Sequence, residues 1–522
     1  MSVTVQTNGA TKTKNGTTKE EVVLRKQTRP IGEFGGNIGC FLWSTYIPFQ
    51  IYYFYGLVIL GRGELLVPDA QFWKDLYYTL PAGLAIRPTW NAMATIAVWC
   101  VSQAVLELGL PSQPPFGYGI TDGVTLKNGR RLRYQMNGLL AFFLTHLGCY
   151  ALACLGIMSP AIVWEQMGAL LTGGVIVAYV FALWLYIDFG LLWKRHTQDP
   201  EFEEDWGVFR VTDFFNDFFM GVARNPRILH GWFDVPLDLK RWWDGRTLTL
   251  WVLLNQSYVA AQYYGCTFDF DSFVTDGTMP MCEFGAGTWA NVGWASILIT
   301  AAHWYYVWDY NYCEPAYLTT TDIRHDLFGF MLTYGMFGFL AWYYPLSFLG
   351  FLSSQGSSPN GWITDNHASV CVGIGLYIIG MCFFRYTNIE KHNFRTEVAR
   401  LQKEGLKAKQ VDEALVQNYK IWGRPVDFIR TEEGSYLLCS GTWGLARHFN
   451  YIGDMVMCVG WAVACYSPNH PFPYVPISYC CYFWVMDVHR LFRDEHRCSV
   501  KYKKDWERYC DKVQWRIIPG VF

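Results

Sequence analysis

The sequence predicts an all-α, polytopic membrane protein with about ten transmembrane helices and both termini cytosolic, and three observations predict it. The 522 residues are 52% hydrophobic and 18% aromatic but only 16% charged, against roughly 25% charged usage in soluble domains. Apolar stretches recur that are long enough for a bilayer core of about 30 Å, which takes about 20 residues per helix. The loops between them alternate in Lys and Arg content, as orientation across a membrane requires. Mean hydropathy is only +0.09 because 24 Trp and 33 Tyr depress it, and those rings suit the membrane interface.

Residues 1–30 are polar and rich in Lys, Thr and Asn, so they read as a disordered cytosolic tail and not as a signal peptide. The expected spans are Gly36–Leu60, Trp90–Val105, Gly138–Met158, Gln166–Trp193, Leu248–Tyr264, Ala290–Trp308, Leu327–Leu352, Ser369–Phe384, Tyr451–Tyr466 and Val475–Met486. With the basic tail (Lys12, Lys14, Lys19, Arg25, Lys26, Arg29) in the cytosol, every even-numbered helix returns the chain to a basic loop. Lys127, Arg130, Arg131 and Arg133 follow the second helix; Lys194, Arg195, Arg224, Arg227, Lys240, Arg241 and Arg246 follow the fourth. The intervening loops 266–288, 353–368 and 467–473 contain no Lys or Arg. An even number of spans satisfies this asymmetry.

Two cytosolic stretches, Lys194–Thr247 and Arg385–Asn450, are too long to be turns, and their Trp, Phe and Arg content predicts ordered contacts. In the second, Glu397–Gln417 sets Leu401, Leu406, Val411 and Leu415 among charges, as in a surface amphipathic helix. A formal net charge of −2 supplies no global field for nucleic acid or an acidic partner. The 16 cysteines show no zinc-type spacing, so no metal site is expected. Cys266 and Cys282 share one non-basic loop, where a disulfide and free thiols are both open.

No G-x-G-x-x-G follows a strand and no P-loop lysine is present, so a nucleotide would have to be held by Arg and Lys groups between helices. Ser440–Asp454 reads SGTWGLARHFNYIGD, which by composition alone equally describes a snorkelling interfacial segment. His489–Cys498 reads HRLFRDEHRC, with KYKKDWERYC and RIIPGVF beyond it. Composition makes this a positive-inside tail, yet the interleaved acids, Tyr502, Trp506 and Tyr509 exceed what an electrostatic anchor needs.

These stretches resemble the paired C-terminal signatures of the sterol reductase family, which includes the sterol C14, C24(28) and 7-dehydrocholesterol reductases and the reductase-like half of the lamin B receptor. NDFFMGVARNPR (Asn216–Arg227), TDIRHDLFGFM (Thr321–Met331) and KHNFR (Lys391–Arg395) extend the resemblance over roughly residues 36–522. It implies a ten-helix domain over 31–522 in the endoplasmic reticulum membrane, with NADPH bound by the part from 385 to 522. The implied cofactor contacts are Lys391, Arg395, Leu438, Trp443, Asn450, Tyr451, Asp494, Cys498, Ser499, Val500, Lys501, Tyr502 and Tyr509. Lys391 and Arg395 are one helical turn apart and can face the same phosphates; Trp443 offers a stacking face, and Arg447 and Arg490 supplement the anion site. The glycine that commonly follows KY in the family is Lys503 here.

Hydride does not add to an unactivated alkene, so sterol reduction also needs a proton donor. Tyr306, in HWYYVWDYNYCEPAY, matches the tyrosine proposed as donor in the family, with Asp494 as its polar partner. On residue type alone a tyrosine in a membrane helix is more often structural. Asp309, Glu314, Asp322, His325 and Asp326 are further acids and bases in or beside that segment. YGITDGVTLKNGRRLRYQMNGLLAFFLTHLG, SPAIVWEQMG, IWGRP and RHFNYIGD resemble the 7-dehydrocholesterol reductases, whereas EFGG, AHW and GSYLL resemble the C24(28) enzymes. The first set weighs more, so Δ7 reduction of a bilayer-borne sterol is expected, ahead of C24(28) or C14 reduction, with other sterol-biosynthesis enzymes as partners. A lamin B receptor-like scaffold would need a folded N-terminal region, and only about 30 residues precede the first span. A transporter would show related halves, and none are visible.

Overall fold

The structure is a computed structural model that describes residues 33–522 except 62–64, 116, 127–128, 204–206, 208–210, 267–286, 355–366 and 467–473. It is mostly helical, and among the described residues three helices are long and apolar enough to cross a membrane: Trp90–Gly109, Met167–Leu191 and Ala368–Lys403. The chain forms two compact units. Among the described residues, one comprises 33–61, 66–291 and 303–346 and the other 65, 292–302 and 347–522.

In the first unit, α1 (Gly36–Ile59) is apolar on all sides. Thr89 caps α2 (Trp90–Gly109) by accepting the Ala92 N–H at 3.2 Å. A hairpin of β1 (Gly119–Thr125) and β2 (Arg131–Met136) follows, with Gly119 opposite Met136. It leads into α3 (Gly138–Cys154), α4 (Met167–Leu185), α5 (Leu239–Tyr263) and, from His303 on, α6 (Trp294–Tyr312). The hairpin corrects the all-α expectation. Leu132, Tyr134 and Met136 alternate inward onto Tyr317, Leu318 and Ile323, the two-residue period of a half-buried strand.

A second correction concerns the basic loop after the fourth span. Four of its charges begin α5, and all four are buried: Lys240, Arg241, Asp244 and Arg246. Arg241 pairs with Glu314, whose carboxylate also accepts the Gly138 N–H at the start of α3 at 2.9 Å. Arg246 pairs with Glu107 and donates to Asn137 Oδ1 at 2.7 Å. Lys240 Nζ donates to the carbonyls of Asp322 (2.6 Å) and Asp326 (2.7 Å), and Tyr317 donates to Asp244 at 2.5 Å. Burial lowers Lys240 to about 8 and raises Asp244 to about 7. Charges withdrawn from water persist only when paired, so the end of this stretch is a polar core, in line with the ordered contacts its composition predicts.

In the second unit, α7 (His367–Lys403) has 37 residues, about 55 Å at 1.5 Å per residue. That exceeds a bilayer core of about 30 Å; its apolar part ends at Phe384 and the polar part from Arg385 runs on beyond. The expected amphipathic helix 397–417 is two pieces, because the chain breaks at Gly405 (φ +79°) before α8 (Ala408–Asn418). Phe394, Val398 and Leu401 of α7, Val411 and Leu415 of α8, Leu438 and Trp443 share one apolar core. Strands β3 (Phe428–Arg430) and β4 (Tyr436–Leu438) pair antiparallel beside it. Then come α9 (Asn450–Ala464), α10 (Tyr474–Tyr502) and α11 (Lys504–Lys512). Lys503, in the turn between the last two, adopts φ +49°, a conformation glycine enters more cheaply, which explains the family's usual residue there.

Helices α7 and α9 pack antiparallel through glycines. A Cβ on Gly373 would lie 2.6 Å from the Gly460 carbonyl oxygen, one on Gly380 2.7 Å from that of Gly453, and one on Gly453 2.6 Å from the Phe384 nitrogen. Backbones in contact through small residues are how helices associate where no hydrophobic effect drives them. The contact sets where Lys391 and Arg395, farther along α7, stand relative to Asn450 and Tyr451 at the start of α9. Gly453→Leu is expected to part the two helices and lower the melting temperature of detergent-purified protein by several degrees, read by differential scanning fluorimetry.

Of the cysteines, Cys266 is disulfide-bonded and the fourteen other than Cys266 and Cys282 are free. Cys282 lies outside the described residues.

Candidate active site

The polar extension of α7 builds the candidate cofactor site of the second unit. Lys391 Nζ sits over the Trp443 ring, 3.6 Å from its centroid. The ring is fixed from α7 as well: Trp443 Nε1 donates to the Thr387 carbonyl at 2.9 Å, and Glu390 Oε2 accepts the Thr442 N–H (2.8 Å) and hydroxyl (2.6 Å). Gly441, at φ +61°, lets the chain pass Glu390, because a Cβ there would stand 2.1 Å from Oε1. Sequence reasoning found Trp443 but missed Glu390, Thr387 and Gly441. Their only sequence signal is position, Glu390 next to Lys391 and Gly441 two before Trp443.

Burial, then the charge of Arg395, lowers Lys391 to about 7, partly offset by Cys498 and Asp494. Burial and Asp494 raise the Cys498 thiol to about 11. Burial, Lys391 and Arg447 hold His448 near 3, hence neutral. Lys391, Arg395, Asp494 and Cys498 therefore form one electrostatic group, and Arg490 and Asp494 both lie close enough to Tyr451 to act on its hydroxyl, with opposite signs. On α10, Arg490, Asp494, Cys498 and Lys501 recur every three or four residues and share a face. The Oδ1 of Asn450 is buried without a hydrogen-bond partner.

Other residues named from the sequence make contacts of different kinds. The run Cys498–Tyr502 is helical and cannot present all its side chains to one side; Ser499 and Val500 are exposed, Ser499 Oγ donates to the His496 carbonyl at 2.8 Å, and Lys501 lies 4.8 Å from the Tyr502 ring centroid. Leu438 is buried in the apolar core with Phe394, and Tyr509 in a second one with Ile429, Cys439 and Val513. Arg447 is a tail clamp: Nε donates to Glu495 at 2.7 Å and Nη1 to the Val513 and Gln514 carbonyls at 2.7 and 3.1 Å. Glu495 also accepts from Arg516 Nε at 3.0 Å.

Tyr306 belongs to the first unit, on α6. Its ring packs on Trp251 of α5 with centroids 5.6 Å apart, and Trp251 in turn meets Tyr344 at 4.4 Å and His303 at 4.7 Å. Of the neighbouring acids, Glu314 belongs to the buried pair with Arg241, while Asp309 and Asp326 are buried. A different face of α5, with Leu250, Leu254 and Ser257, lines an apolar cavity of about 880 Å³, mouth included, closed by Trp99, Phe337 and Trp342. Water finds few partners on such walls.

Residues 28–275 and 281–522 match the ergosterol biosynthesis ERG4/ERG24 family. The chain belongs to the ERG4/ERG24 sterol reductase family. A Delta(14)-sterol reductase of Methylotuvimicrobium alcaliphilum is 32% identical over 497 residues, covering 94% of this chain and 96% of that protein. The 7-dehydrocholesterol reductase of Danio rerio is 32% identical over 453 residues (83% and 80%), and that of Xenopus laevis 31% over 501 (92% and 90%). As a member of the sterol reductase family the chain is an oxidoreductase of sterol biosynthesis and membrane-bound. The residues of the second unit fit a phosphorylated dinucleotide. Two cations press on one another in Lys391 and Arg395, one already seated on an aromatic face, and the Asn450 amide oxygen is left for a donor such as a carboxamide or ribose hydroxyl.

Proposed function

We propose that this protein reduces a sterol ring double bond with NADPH, acting on the Δ7 bond of a 7-dehydrocholesterol-type substrate in the endoplasmic reticulum membrane. The observation that carries the reading is Lys391 seated over the Trp443 ring, with the Arg395 cation close enough to act on it, in a chain of the sterol reductase family. The proposed membrane domain has ten spans with both termini cytosolic, so that the basic α7 extension meets cytosolic cofactor, and sterol arrives from the bilayer. Other sterol-biosynthesis enzymes are its proposed neighbours.

In this reading Lys391 and Arg395 bind the phosphates, Arg490 adds to the anion field, and Trp443, Asn450 and Tyr451 orient the nucleotide. Cys498, Lys501 and Tyr502 flank it on α10. NADPH, when bound, supplies the hydride. The Tyr306 hydroxyl gives its proton to one alkene carbon, making the other electrophilic. The Asp494 carboxylate is the second catalytic group.

A Δ14 reading has its own support, because the Methylotuvimicrobium alcaliphilum protein named for that bond matches at the same 32% over a larger share of the chain than the Danio rerio protein. Purified protein given NADPH and Δ7, Δ14 and Δ24(28) sterols in parallel, with products resolved by mass spectrometry, separates the readings. Conversion of 7-dehydrocholesterol to cholesterol is expected. Turnover confined to the Δ14 or Δ24(28) substrate would overturn the Δ7 assignment, and equal use of NADH would overturn the phosphate role of Lys391 and Arg395.

A further inference from the structure

Three buried side chains converge behind Tyr306. His303 precedes it by three residues on α6, so both lie on one face of the helix. Two donors meet at a single nitrogen of His303: Trp251 Nε1 at 3.1 Å and Asn255 Nδ2 at 2.5 Å, both on Nδ1. An indole N–H can only donate. Nδ1 is therefore an acceptor without a proton, and the imidazole is the neutral tautomer with its hydrogen on Nε2. Trp251, Asn255 and His303 are all at most 2% exposed, so the bonds are shielded from competing water, and breaking one leaves a buried donor unsatisfied.

Trp251 is the shared element. Held through its N–H by His303, it presents its ring to Tyr306 at an interplanar angle of 57° and to Tyr344 at 45°. Without that bond the indole can turn about its side-chain torsions, and Tyr306 loses the surface that fixes its own ring.

We propose that His303 is a positioning residue for Tyr306, acting through Nδ1 as the anchor of Trp251. The inference rests on the reading of Tyr306 as proton donor. It assigns His303 no proton transfer of its own, since both donors on Nδ1 must leave before that nitrogen can take a proton.

Four variants of the full-length protein, His303→Phe, His303→Asn, Trp251→Phe and Tyr306→Phe, are assayed for kcat and for the NADPH KM with the sterol that the wild type reduces, and their melting is recorded. Displacing a reacting group by about 1 Å can cost on the order of a hundredfold. His303→Phe is expected to lower kcat by about ten- to a hundredfold with the NADPH KM unchanged. His303→Asn, whose amide oxygen can replace Nδ1 as acceptor, is expected to recover most of that loss. Trp251→Phe, which keeps an aromatic ring but loses the indole N–H together with part of the buried ring volume, should lower kcat at least as much as His303→Phe and serves if the latter does not fold. Near-wild-type kcat in His303→Phe with an inactive Tyr306→Phe would overturn the positioning role alone. A His303→Asn variant as impaired as His303→Phe, with normal melting, would overturn it too. Full activity in Tyr306→Phe would instead remove the donor reading beneath it.

Discussion

Asp494→Ala is expected to lower sterol turnover by about a hundredfold or more, the range over which positioned acid–base groups act, while the protein remains folded. Asp494 stands near the polar end of α10, a quarter exposed, with Arg497 Nη1 at 3.9 Å; a partly exposed carboxylate at that distance contributes little to stability. Its charge acts on Lys391 and Cys498, so removing it takes an anion away from the proposed phosphate site. The NADPH KM should therefore stay level or fall as kcat collapses. That split separates a chemical role from loss of cofactor binding and is read from steady-state kinetics. A raised KM with kcat preserved would move Asp494 from the reaction to the nucleotide.

Lys391→Ala should do the reverse. A hydrogen bond to a charged group contributes about 1.5–3 kcal/mol, so the NADPH KM is expected to rise by about ten- to a hundredfold with kcat at saturating cofactor nearly intact. The pH dependence carries a sharper signature. Lys391 is lowered from 10.5 to about 7 by burial and Arg395, and an anion binds its protonated form. Below pH 7 the ammonium is already present and affinity is level; above it, binding must draw a proton, so affinity falls with rising pH. Stability moves the other way. Between pH 7 and 10.5 the unfolded chain holds this proton and the folded, cofactor-free chain does not, so this group makes the protein more stable as pH rises. NADPH titrations and thermal melts at pH 6.5, 7.5 and 8.5 check both signs, and both should vanish in Lys391→Ala.

How far the sequence could be read depends on which physical signal each feature carries. Apolar length reveals spans, and three helices, Trp90–Gly109, Met167–Leu191 and Ala368–Lys403, stand out by it. Charge counting places Lys240, Arg241 and Arg246 in a loop, because a count cannot see that Glu314, Glu107 and the carbonyls of Asp322 and Asp326 wait for them. The hairpin carries a local signal, the alternation of RLRYQM after an Asn-Gly pair, which span and charge counting do not register. Gly373, Gly380, Gly453 and Gly460 repeat at a helical spacing in each of two apolar segments; only their pairing across 380 and 453 gives them meaning.

Within the site, residue types with specific chemistry were found from the signatures: Lys391, Arg395, Trp443 and Asp494 do gather in the second unit. The contiguous run 498–502 is named whole by the resemblance, whereas α10 continues through it and turns Ser499 and Val500 outward. Arg447 reads as a phosphate ligand by type and serves the C-terminal segment by geometry. The supports of Tyr306, namely Trp251, Asn255 and His303, lie 48 to 52 residues apart in their bonded pairs, a separation that no local motif spans.

The central claim is that a hydride from NADPH enters a sterol double bond whose other carbon is protonated by the protein. Isotope tracing tests it most directly: 7-dehydrocholesterol is reduced once with NADPH deuterated at the transferred C4 position in ordinary water, and once with unlabelled NADPH in deuterated water. One deuterium in the sterol from the cofactor in the first reaction, and one at the neighbouring carbon from solvent in the second, are predicted. A reduced sterol that carries no cofactor deuterium would contradict the account.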